Sequence, residues 1–186
     1  MPVVIGAKPE SGFRDPIGLL TDCHRRVERF LSVLVRVGEQ TQGGSLTSAE
    51  RTSLETALRY FREAAPKHTA DEEESLFPRL RAQGRPDLQA AIERVDALER
   101  EHAEADKWHA EADRLGQAWL AAGTLSPSDA AQFSRVVTGL TELYRTHIEI
   151  EEREVFPAAA AAFGKAEFEA VGAEMAARRG LQACQS

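Results

Sequence analysis

Two stretches of the 186-residue chain carry the same pattern of metal-binding and acid–base side chains. His68-Thr69-Ala70-Asp71-Glu72-Glu73-Glu74-Ser75-Leu76-Phe77-Pro78 returns as His147-Ile148-Glu149-Ile150-Glu151-Glu152-Arg153-Glu154-Val155-Phe156-Pro157. Both read His-x-x-x-Glu-Glu-x-x-x-Phe-Pro. A His and a Glu four positions apart on a helix lie one above the other on the same face. An imidazole and a carboxylate stacked in this way can hold one cation or bridge two. Two such helices facing each other can build a dinuclear site.

The repeat reaches further back in each half. His24 precedes the first block and His102 precedes the second at nearly the same distance. Each half is therefore a helix with one His followed by a helix with His-x-x-x-Glu, an internal duplication that organises the whole chain.

These residues need helices to position them, and the apolar spacing supplies four. Asp15-Pro16 is a helix start, with Asp as N-cap and Pro at the first helical position. Ile17, Leu20, His24, Val27, Leu31 and Leu34 then form one inward stripe, which should stop at Gly43-Gly44. Thr47-Ser48-Ala49-Glu50 is a capping box for the second helix. Its stripe runs Leu54, Leu58, Phe61, Ala65, His68, Glu72 and Leu76. Pro66 should kink it just before His68, and Pro78 with Gly84-Arg85-Pro86 should end it. A third helix from near Asp87 carries Leu88, Ile92, Val95, Leu98, His102, Ala105, His109, Ala112 and Trp119, closed by Gly123. Ser126 caps a fourth, with Phe133, Val137, Leu140, Tyr144, His147 and Glu151 inward. A short fifth helix is expected near residues 165–179. At ~1.5 Å per residue, His24, His68 and His147 fall roughly 12–15 Å from one end of an up-down-up-down four-helix bundle. The expected organisation is an N-terminal arm over 1–14, the bundle over 15–160, and a C-terminal helix and tail over 161–186.

Composition excludes other classes. The length suffices for one domain with a full core, and the few aromatics favour an all-α fold. A net charge of −7 argues against nucleic acid or an anionic membrane as partner. No apolar run is long enough for a membrane span, and Met1-Pro2-Val3-Val4-Ile5-Gly6 lacks the features of a signal peptide. Cys23 and Cys184 are too few for a disulfide framework. A cytoplasmic protein is expected.

A lone inward His is usually a core residue, but four on four helices at matching depth, two with Glu on the same face, point to metal. A carboxylate inside a bundle costs several kcal/mol unless it is paired or bound to a cation, and no Lys or Arg lies on these stripes. Imidazole with bridging carboxylate suits Fe or Mn, whereas Zn favours closed tetrahedral sites.

The sequence resembles the hemerythrin-like (HHE cation-binding) domains over roughly residues 15–160. The resemblance rests on Asp22-Cys23-His24-Arg25-Arg26, on the paired blocks, and on Glu101-His102. It implies a four-helix bundle around a non-haem di-iron centre, two Fe ions bridged by carboxylates and oxygen. Its implied ligands are His24, His68, Glu72, His102, His147 and Glu151. The family's oxygen carriers have a second His one turn after the first on the third helix; Asp106 stands there in this chain. Their fourth-helix acid is an Asp one residue further on, where this chain has Glu152. The chain thus resembles the bacterial four-His, two-Glu branch. What that branch implies is binding, sensing or reaction with dioxygen, peroxide or nitric oxide. A di-iron oxidase or peroxidase, and an iron-storage or iron-sensing protein, are the alternatives.

Neighbouring residues carry expectations of their own. Asp106 and Glu28, each four positions after a His, can bind metal directly or orient that His. His109 and Tyr144 read as core groups near the site, Tyr144 with a satisfied hydroxyl. Cys23 reads as off the stripe and inert, and Glu73, Glu74, Glu149, Glu152 and Glu154 as a solvated face.

Overall fold

The computed structural model describes residues 11–181. The chain is all-α, with no strand among the described residues. Helix α1 spans Pro16–Thr41. The second rod is α2 (Ser48–Glu63), α3 (Ala65–Asp71), a π turn (Glu72–Leu76) and α4 (Phe77–Ala82). A 3₁₀ turn at Pro86–Leu88 leads into α5 (Gln89–Ala122). The fourth rod is α6 (Pro127–Ile150), a π turn (Glu151–Val155) and α7 (Phe156–Ala162). Helix α8 (Lys165–Arg178) closes the order. Helices α1, α2, α5 and α6 pack as a ring, each against two neighbours.

Local chemistry sets the helix ends. The Asp15 carboxylate accepts from the Gly18 N–H at 3.0 Å, and the Thr47–Glu50 capping box is present in both directions. Ser126 accepts from the Asp129 N–H. Helix α1 turns at Gln42, whose φ of +47° places it in the left-handed region, one residue before the expected Gly43 (φ +80°). The Pro66 expectation is met by a break at Ala64, which separates α2 from α3 and re-aims the turn that bears His68.

The two Phe-Pro pairs do not end their helices. Each π turn starts at the Glu of a repeat block, and the Phe77 and Phe156 N–H groups donate five residues back, to the Glu72 and Glu151 carbonyls. A proline lacks the N–H for an ordinary i→i−4 bond, and its ring crowds the carbonyl four residues back. Widening the helix by one residue before Pro78 and Pro157 relieves that clash, and the helix then continues. Leu76 with Phe77, and Val155 with Phe156, are buried at these turns.

The apolar core is split in two. One cluster holds Val27, Leu31, Leu58, Leu115, Trp119, Phe133 and their neighbours. The other holds Leu20, Leu76, Phe77, Leu98, Val155, Phe156, Val171 and Met175. Between Leu20 and Val27 on α1 the inward residue is His24, so a polar layer separates the clusters. Helix α8 packs over the second cluster, against α1, α3 and the first π turn. Residues 1–10 of the expected arm, and Cys184, lie outside the described residues; Ser11 donates its N–H to Asp22 at 2.6 Å.

Candidate metal centre

Four helices and two π turns converge their polar side chains in one layer. His24 comes from α1, His68 from α3, His102 from α5 and His147 from α6; Glu72 and Glu151 are the first residues of the π turns. All six are buried, the two carboxylates completely. They fall into two groups of four that could hold a metal ion. One is His24, His68, Glu72 and Glu151; the other is Glu72, His102, His147 and Glu151.

The two carboxylates belong to both groups, and each divides its oxygens between them. Glu72 turns Oε1 toward His68 Nε2 (3.4 Å) and His24 Nε2 (3.8 Å), and Oε2 toward His102 Nε2 (3.6 Å). Glu151 turns Oε2 toward His24 Nε2 (3.0 Å) and Oε1 toward His147 Nε2 (3.2 Å). His24 Nε2 and all four carboxylate oxygens are buried and make no hydrogen bond. Such a set costs several kcal/mol per group without compensation. Four Nε2 atoms and four carboxylate oxygens turned into a dry space are the donor set of a pair of oxygen- and nitrogen-loving cations. The residues present fit such ions.

A second ring of acids sets the imidazoles. His24 Nδ1 meets Glu152 Oε1 at 2.9 Å, His102 Nδ1 meets Glu73 Oε1 at 2.8 Å, and His147 Nδ1 meets Glu101 Oε2 at 2.9 Å. A carboxylate accepts, so Nδ1 donates outward and Nε2 is the nitrogen that faces the other donors. Here the solvated-face expectation fails for Glu73 and Glu152. It holds for Glu74, Glu149 and Glu154, which are exposed and pair with Arg178, Arg153 and Arg94. The Glu-Glu doublet common to both blocks was the available signal: its first member faces the layer and its second reaches across to the other half's His.

The motif phenylalanines follow the same exchange. Phe156 stacks on His24 (centroids 5.3 Å, interplanar 10°) and Phe77 on His102 (6.4 Å, 8°). Each wall thus covers the imidazole that the neighbouring Glu orients.

Burial and mutual charge displace the titrations. Burial pushes His24 down, but Glu151, Glu152 and Glu72 around it prevail and raise it well above its ordinary value. His147 is raised to about 10 because Glu151 and Glu101 outweigh its burial. Burial, reinforced by the Glu151 charge, raises Glu72 to about 8. Burial would also raise Glu151, but His147 and His24 overrule it and hold it well below the usual range. Burial lowers His68 and His102.

The remaining expectations resolve by position. Glu28 is exposed and pairs with Arg25, and Asp106 is exposed; neither belongs to the two groups. His109 Nε2 and the Tyr144 hydroxyl are hydrogen-bonded at 3.0 Å, and His109 stacks on Phe61. Burial pushes His109 down to about 4, so it is neutral. Cys23 is buried rather than turned outward; its Sγ lies 2.9 Å from Arg26, and burial raises its thiol.

The chain is similar to known proteins. The model of the hemerythrin HHE cation binding domain matches residues 15–159. A Haemophilus influenzae protein, described as uncharacterized, is 31% identical over 141 residues, spanning 75% of this chain and 76% of that one.

Proposed function

Because this chain belongs to the hemerythrin HHE cation-binding family, we propose that its buried layer holds two iron ions and that the protein binds, senses or reacts with dioxygen, peroxide or nitric oxide. His24 and His68 would serve one ion, His102 and His147 the other, and Glu72 and Glu151 would bridge them. One observation carries this reading: each carboxylate turns one oxygen to each His group. A carboxylate so turned can serve a cation in each group.

Bound iron would supply electrons and Lewis acidity to a small ligand. The chain's own residues prepare the place. Glu152, Glu73 and Glu101 hold the Nδ1 protons outward, which fixes ring orientation and raises the basicity of the inward Nε2. Phe77 and Phe156 wall off two of the rings, and the apolar clusters above and below exclude water. The apolar clusters on either side of the layer disfavour escape of a charged reduced ligand through them.

An iron-sensing role is the second reading, and Asp71 favours it. This fully buried carboxylate, next in sequence to Glu72, is gripped by Arg178 (2.9 Å) at the end of α8 and by Arg179 (2.7 Å) just beyond it. A change at Glu72 has a direct route to the C-terminal helix.

Metal analysis with an optical spectrum tests the proposal. About two iron per chain, with near-ultraviolet charge-transfer absorption in the oxidised protein, is the expected result for a di-iron carboxylate centre. A protein purified with zinc alone, and unable to take up iron, would overturn it.

A further inference from the structure

The two halves of the layer are related by the sequence repeat, yet their outer support is unequal. His102 and His147 are each backed at Nδ1 by a carboxylate, Glu73 and Glu101, and neither acid has an Arg or Lys partner among the described residues. On the other side, His24 is backed by Glu152, but the same Oε1 also accepts a hydrogen bond from Arg25, which neutralises part of its charge. His68 has no support among the described residues: its Nδ1 is buried and makes no hydrogen bond with them.

The repeat shows where the missing acid would stand. Glu101 directly precedes His102 on α5 and reaches His147; the residue directly preceding His24 on α1 is Cys23. The ring pairs correspond, with His24–His68 centroids 4.9 Å apart and His102–His147 centroids 4.6 Å apart. A buried thiol that lies against Arg26 occupies the register of the orienting carboxylate.

From this asymmetry we propose that the two cation positions differ in affinity. The His102–His147 position binds first and holds its ion, the His24–His68 position exchanges, and Glu73 and Glu101 are the positioning residues that create the difference. An orienting carboxylate behind a ligating His is worth about 10–100-fold in metal affinity. Two full carboxylates against one shared with Arg25 separate the positions by about 100-fold. The exchanging position is then the one that loads and empties with iron supply and opens to a small ligand. The proposal rests on the paired-ion reading above.

The test is anaerobic calorimetric titration of the cation-free protein with ferrous iron. The wild type should show two steps separated by about 100-fold. His68→Ala should abolish the weaker step alone. Glu101→Gln and Glu73→Gln, at side chains about a third exposed, should each weaken the tighter step by about 10–100-fold. In both, the cation-free form should stay folded and the His24–His68 position should keep its affinity, a selectivity that a merely structural role would not produce. Two equal steps in the wild type, or a tighter step untouched by Glu101→Gln, would overturn the inequality and leave the paired-ion reading standing. One ion per chain, kept by His68→Ala and weakened by Glu101→Gln, would support the inequality and overturn the pair. No binding at all would overturn both.

Discussion

His102 and His147 bring their Nε2 atoms to 2.9 Å while each Nδ1 faces a carboxylate. With both Nδ1 positions protonated, two lone pairs point at each other in a dry interior. Either one ring takes up an extra proton or a cation stands near both. Iron uptake should therefore stabilise the fold, because only the native chain assembles these donors. Free iron at about 100 times its dissociation constant contributes about 2.7 kcal/mol. Thermal melts with and without added ferrous iron check this; equal melting temperatures would count against a built site.

Removing single donors should sort the histidines. His147→Ala should lower bound iron sharply, and His68→Ala should remove about half of it. His109→Ala should leave most of it, since its side chain bonds to Tyr144, outside both donor groups. Iron per chain, measured after purification under identical supply, decides it. Equal loss in all three would sink the assignment.

Cation uptake should release protons. His24 and His147 are raised because surrounding carboxylates outweigh their burial, and Glu72 is raised to about 8 chiefly by burial. Near neutral pH all three carry protons that a cation must displace. Glu151 is held low and His68 and His102 are lowered, so these already stand ready. Affinity should thus rise with pH through about 8 and on toward 10, and fall in acid. Calorimetry in buffers of different ionisation enthalpy reads the proton count. A heat independent of buffer would contradict the sign.

The buried polar layer was legible in the sequence because repetition and helical period coincide at His68, Glu72, His147 and Glu151. The orienting acids were not. Glu73 and Glu152 follow an inward Glu by one residue, about 100° around a helix, where a solvated side chain is the ordinary outcome. They act because an adjacent helix brings a His to them, and single-helix periodicity holds no such information. The π turns were hidden for a related reason: Pro78 reads as a helix end, and only the backbone shows the widened turns absorbing it and Pro157.

Asp71 supplies a stability prediction of its own. Its carboxylate is wholly buried, and its ion-pair partners are Arg178 and Arg179. Replacing both arginines by Ala leaves an uncompensated buried charge, at a cost of about 3–5 kcal/mol. Denaturant unfolding of the cation-free protein measures it. A loss below about 1 kcal/mol would mean that water reaches Asp71 as soon as the arginines go, and that α8 does not clamp the Glu72 turn.

The last prediction concerns small anions. Each position has four donor residues, two His and the two shared carboxylates, whereas iron commonly takes six ligands. A seventh donor residue at the layer would take one of those places, and Asp106 was the candidate because it stands where the oxygen carriers have His. Its exposed side chain belongs to neither group. Azide added to the oxidised, iron-loaded wild type should therefore change the charge-transfer spectrum and saturate at about one azide per iron pair. Asp106→Ala should bind azide with the same affinity. A wild type silent to azide, with a responsive Asp106→Ala, would show that Asp106 swings inward when iron is bound. The site would then be closed, better suited to sensing iron than to taking up a ligand.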